Sequence, residues 1–109
     1  MARERALILM PSNNTSPVFF YTYILQSMKD NQQYIGYTAD LRQRFEEHRK
    51  GHVSSTKPRL PVELVYYEAC RHEADAKQRE KYLKTTDGRR FLAKRLRNFK
   101  ADAVWHRGK

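Results

Sequence analysis

Two runs of aromatic and β-branched residues, separated by a short polar gap, constrain this chain more than any other feature. Val18 to Leu25 sets Phe19, Tyr21, Tyr23 and Leu25 against Phe20, Thr22 and Ile24, an alternation that gives both faces of an extended segment apolar side chains to cover. Gln33-Tyr34-Ile35-Gly36-Tyr37 reads as a second strand after the polar turn Lys29-Asp30-Asn31. A connection this short joins antiparallel neighbours, so the two runs predict a β-hairpin.

The rest of the chain supplies the cover. Thr38 or Asp40 caps a helix that runs to about Lys50 and stops at Gly51, with Leu41 and Phe45 on one face. Residues 51–61 read as a loop closed by Pro58 and Pro61, and Val62 to Cys70 as a third strand. A second helix is expected from Glu73 to about Leu83, and a third, strongly basic one from Gly88 to about Asn98. The order strand, strand, helix, strand, helix, helix predicts an α+β fold, a small three-stranded antiparallel sheet flanked by helices. Residues 18–100 are expected to form the domain, 1–17 a flexible N-terminal extension ending in the turn-rich Pro-Ser-Asn-Asn-Thr-Ser-Pro stretch, and 101–109 a basic tail.

A net charge of +10 on 109 residues points to a polyanionic partner. The charge is uneven: residues 1–70 hold 9 Lys/Arg against 7 Asp/Glu, whereas residues 71–109 hold 13 against 5. A single cysteine, Cys70, allows neither an internal disulfide nor a cysteine-rich zinc site, and it reads as a core residue. The apolar run Ala6 to Met10 is too short for a signal peptide or a membrane span, so a cytoplasmic location without membrane contact is expected.

The spacing of motifs is more specific than the charge. Tyr21-Thr22-Tyr23, ten residues of hairpin and then Tyr34-Ile35-Gly36 resemble the paired motif that names the GIY-YIG nuclease family. Gly36-Tyr37-Thr38-Ala39-Asp40-Leu41-Arg42-Gln43-Arg44 is similar to that family's G-x-T-x-x-L-x-x-R stretch, with His48 one helical turn later. Leu64 to Glu68 and Ala76 to Lys84 continue the likeness, which covers about residues 19–99. It resembles most the small stand-alone endonucleases related to the N-terminal domain of the excision-repair nuclease. Tyr21 stands where the first motif carries glycine, so only Tyr23 carries over from that triplet.

The resemblance implies a DNA endonuclease that uses one Mg²⁺ or Mn²⁺ and leaves 5′-phosphate and 3′-hydroxyl ends. It places the metal-binding glutamate at Glu80, a hard oxygen donor suited to an ion that keeps most of its waters. Read alone, Glu80 also fits a solvated helix residue paired with Lys84. Arg44 offers a planar fork for two phosphate oxygens, and His48, four residues on, projects from the same helical face. His48 either relays a proton or orients a tyrosine, or simply packs near the helix end. Tyr23 and Tyr34 are the two candidates to align or deprotonate the attacking water, and either needs a nearby cation to favour phenolate. Lys57 and Arg59, in a loop with Ser54, Ser55 and Thr56, suit phosphate contacts that position without reading sequence. Arg89, Arg90, Lys94, Arg95 and Arg97 suit backbone binding with steep salt dependence. A catalytic scaffold of this size has little room for a base-reading module, so structure rather than sequence preference is expected. The rival readings are a non-catalytic nucleic-acid-binding module that keeps the fold, and a subunit that a partner protein delivers to its substrate.

Overall fold

The expected hairpin is the centre of the molecule. A computed structural model describes residues 18–107, with side chains through Asp102; the expected 1–17 extension lies outside the described residues. Strands β1 (Phe20–Ser27) and β2 (Gln33–Thr38) pair antiparallel, with Tyr23 opposite Gly36 and Leu25 opposite Tyr34. The turn is held by Ser27, whose hydroxyl accepts from the backbone N–H groups of Lys29 and Asp30, while Asn31 takes the left-handed conformation (φ 64°) that asparagine tolerates. Strand β3 (Val62–Cys70) adds to the other side of β1, giving the order β2-β1-β3 with all pairs antiparallel. The central strand is therefore buried from Tyr21 to Ser27.

Alternation along β1 divides the core in two. Tyr21, Tyr23 and Leu25 face Leu41 and Phe45 of helix α1 (Leu41–Arg49), with Val62 completing the cluster. Ile24, on the opposite face, packs with Ile35, Leu83 of α2 (Glu73–Leu83) and Leu92 of α3 (Thr86–Arg95). Each fully buried leucine contributes roughly 1.5–3 kcal/mol of transfer free energy, so the two clusters hold the helices to their faces. The α1 cap is Asp40, whose carboxylate accepts from Gln43 N; Thr38 instead accepts from the Asp40 backbone N–H and steadies the cap. His72 and Thr85 cap α2 and α3 in the same way.

Two expectations need correction. The third helix does not run unbroken from Gly88 to Asn98. It begins at Thr86, because Thr85 supplies an N-cap oxygen to Gly88 N, and it ends at Arg95. Leu96 leaves helical geometry (φ −107°, ψ 20°) and is buried at the break, and a fourth helix, α4 (Arg97–Arg107), starts beyond it. The 101–109 stretch expected as a tail is thus helical as far as Arg107. The 51–61 loop carries a short 3-10 turn at Lys57–Arg59. No helix among the described residues is long and apolar enough to cross a membrane.

Candidate active site

Tyr23 is opposite Gly36 in the sheet, so its ring lies over a position without a side chain. A Cβ on Gly36 would come within 2.5 Å of the Tyr23 Cζ and Oη atoms. The glycine is needed for space, to let the phenol lie flat across β2. From there the hydroxyl reaches His48 Nε2 on α1 at 2.9 Å, in a site where Tyr23 is 1% and His48 0% exposed. His48 Nδ1 lies 2.8 Å from the hydroxyl of Thr56, which is also fully buried. Tyr34 closes the group, its ring 5.1 Å from the imidazole and 6.3 Å from the Tyr23 ring.

Arg44 lies one turn before His48, close enough for its charge to act on the same Tyr23 side chain. Its guanidinium is held by Glu47 at 2.8 Å, and that pairing, with Tyr23 nearby, holds it above the ordinary guanidinium range. The expected cation beside a tyrosine is therefore present, yet it does not produce a phenolate. Burial outweighs the Arg44 charge, Tyr34 and Glu80 add to the upward push, and the Tyr23 phenol is driven up to about 12. Burial first, and then the Arg44 charge, drive His48 down to about 4, so the imidazole is neutral at pH 7. Both groups are uncharged, and the positive charge of the site resides on Arg44.

Glu80 approaches from α2, close enough for its charge to oppose ionisation of Tyr23. Its carboxylate meets Lys84 Nζ at 3.1 Å, one helical turn on and largely exposed. No group of three or more His, Cys, Asp or Glu side chains that could hold a metal is found among the described residues.

The chain matches the model of the GIY-YIG catalytic domain over residues 19–102. It belongs to the GIY-YIG family. It is 41% identical over 76 residues to the UPF0213 protein YazA of Bacillus subtilis, covering 69% of this chain and 71% of that one. It is 44% identical over 62 residues to a UPF0213 protein of Pediococcus pentosaceus, where the match spans 56% of this chain but only 64% of the relative. A third UPF0213 protein, of Pediococcus acidilactici, is 35% identical over 82 residues, 72% of this chain and 82% of its own. These names specify a family and no activity. No solved structure matches the chain.

Within this GIY-YIG domain, Tyr23, Tyr34, Arg44 and His48 converge around one phenol, and Glu80 stands near them. The basic residues do not form one stripe. Arg97 belongs to α4, while Arg89, Arg90, Lys94 and Arg95 are spread around α3. Arg95 lies over the Tyr66 ring at 5.7 Å, Arg90 faces Asp87 at 3.6 Å, and Arg89 Nε donates to the Lys84 carbonyl. Lys57 is exposed on the 3-10 turn, and Arg59 meets Asp30 of the hairpin turn at 3.2 Å.

Thr56 differs most from its sequence reading. Grouped there with phosphate-contacting hydroxyls, it faces inward to His48 instead, and nothing in its local sequence signals that. The sequence also gave no sign of a cluster on the opposite sheet face. Arg79 makes two bonds to Glu68, at 2.8 and 3.0 Å, and its guanidinium stacks on Phe91 and Tyr82. Burial pushes the Glu68 carboxyl up, but Arg79 and the Tyr66 hydroxyl outweigh it and hold the group below the usual glutamate range. This pair ties α2 to β3 and is structural.

Proposed function

We propose that this GIY-YIG protein is a metal-dependent endonuclease that hydrolyses DNA phosphodiester bonds with structure rather than sequence preference. The observation that carries the reading is a buried phenol oxygen, Tyr23 Oη, bonded to a neutral histidine with the Arg44 charge close enough to act on it. An oxygen beside both a base and a cation suits placement of a water against an anionic substrate.

In this reading Arg44 clamps a non-bridging phosphoryl oxygen with the N–H groups that Glu47 leaves open. Tyr23 aligns the attacking water at its oxygen and accepts a proton there, passing its own hydroxyl proton to His48 Nε2. Tyr34 walls the site beside the imidazole and limits the water's position. Glu80, a hard oxygen donor whose partner Lys84 is readily displaced into solvent, suits one Mg²⁺ or Mn²⁺ that keeps most of its waters. When bound, such an ion supplies positive charge to the phosphoryl and leaving oxygens. The surplus of cations on residues 71–109, with Lys57 and Arg59, supports contact with the DNA backbone.

The Glu80–Lys84 pair is also the arrangement of an ordinary solvated helix, which favours a binding module without catalysis. Nicking of supercoiled and branched DNA with Mg²⁺ or Mn²⁺ separates the two. Glu80→Ala is expected to lower the rate by roughly 10²–10⁴-fold with DNA affinity retained. Equal binding by both proteins, with neither cutting any DNA structure, overturns the enzyme reading.

A further inference from the structure

We propose that Thr56 is a positioning residue that sets the tautomer of His48, protonated on Nδ1 and open at Nε2, so that the proton of Tyr23 points into the protein. The polarity follows from counting donors and acceptors along the buried chain Tyr23–His48–Thr56–Val53. Tyr23 is buried, so its hydroxyl hydrogen needs an acceptor inside the protein, and His48 Nε2 at 2.9 Å provides one. A histidine that accepts at Nε2 while neutral must carry its proton on Nδ1, where Thr56 Oγ1 accepts at 2.8 Å. The Thr56 hydrogen in turn is directed to the Val53 carbonyl at 3.4 Å. Every hydrogen in this order has an acceptor. In the reverse order Thr56 donates to Nδ1, Nε2–H donates to Tyr23, and the buried Tyr23 hydrogen is left without an acceptor in the chain.

Burial makes the arrangement count. Thr56 and His48 are both 0% exposed, and no buried side-chain nitrogen or oxygen among the described residues is unpaired. With no water to substitute, loss of one acceptor changes the proton position of the whole chain. The threonine thus governs which way the Tyr23 proton moves without touching substrate. The link to catalysis rests on the nuclease reading above, whereas the tautomer itself does not.

The test is two-bond ¹H–¹⁵N NMR of the full chain labelled with ¹⁵N-histidine, at pH 7 without DNA or metal. The His48 signals are assigned by their absence in His48→Gln. The wild type and Thr56→Ser are expected to show His48 protonated on Nδ1. Thr56→Val, similar in shape but without the acceptor, is expected to shift the Nδ1–H to Nε2–H ratio by about tenfold, the value of one neutral hydrogen bond. Nicking by Thr56→Val should fall roughly 10–100-fold and recover in Thr56→Ser, as for other groups that orient a functional imidazole. Wild-type His48 protonated on Nε2 overturns the proposal, and so does a folded Thr56→Val that keeps the wild-type tautomer ratio. If Thr56→Val does not fold, the wild-type and Thr56→Ser spectra still decide. Absence of nicking by the wild type counts against the nuclease reading and leaves the tautomer result standing.

Discussion

His48 is a histidine that the fold keeps neutral. Its unfolded-state value is near 6.5, and burial with the Arg44 charge lowers it to about 4 in the folded chain. A folded value below the unfolded one means that stability is full above pH 6.5 and is lost as pH falls through about 4, because the unfolded chain binds the proton first. The whole shift corresponds to roughly 3 kcal/mol. Urea unfolding at pH 7 and pH 5 is therefore expected to show a loss of about 2 kcal/mol in the wild type, and most of that pH dependence should vanish in His48→Gln. Glu47 and Glu68 are held below the ordinary glutamate range, so their stabilisation is full above that range and is lost only at lower pH than this window. Equal pH dependence in both proteins would show that the imidazole is not buried as described.

At the scale of elements, two glycines mark where parts of the fold approach too closely for a side chain. Gly36 lies beneath the Tyr23 ring, between β2 and β1. Gly88, in the first turn of α3, faces the end of α2, and an added Cβ would meet the Tyr82 carbonyl and the Leu83 Cα at 2.5 Å. The two obstacles differ in kind. A methyl at 36 pushes on a side chain, which can swing away at the expense of its bond to His48. A methyl at 88 pushes on backbone, which moves only with the helix. Gly36→Ala is accordingly expected to destabilise by about 1–2 kcal/mol while removing most nicking activity, and Gly88→Ala to destabilise by about 3 kcal/mol with activity per folded molecule retained. Thermal unfolding and nicking rates on the two variants check the contrast, and loss of the same property in both would sink it.

Over the whole molecule, the net charge of +10 is carried mainly by residues beyond position 70. Exposed pairs such as Arg90–Asp87 add little to stability, so most of these charges are available to a partner. Binding of DNA without a divalent ion is expected to weaken linearly in log–log form with salt, with a slope of about −0.9 per phosphate contact. Lys94 and Arg97 are both exposed and lie on different helices. Removing both should lower the slope by about 2 if each meets a phosphate. An unchanged slope in the double variant Lys94→Ala/Arg97→Ala would place the DNA elsewhere.

The periodicity of the chain by itself determined the hairpin, the third strand and the first two helices, because local alternation and capping residues act over a few neighbours. The helix spacing of Arg44 and His48 put them on one face, and the family likeness named the tyrosines and Glu80. Other features depended on residues distant in sequence. The break at Leu96 follows from packing, not from the propensity of a run that reads as one helix. Thr56 has the same hydroxyl as its exposed neighbours Ser54 and Ser55, and only the fold turns it inward to His48. The protonation of Tyr23 depended on the fold in the same way. The cation was legible as Arg44, but the burial that outweighs it exists only once α1, β1 and β2 close over Tyr23. Residue identity determined which groups the site contains, and tertiary desolvation decided their protonation and the direction of their hydrogen bonds.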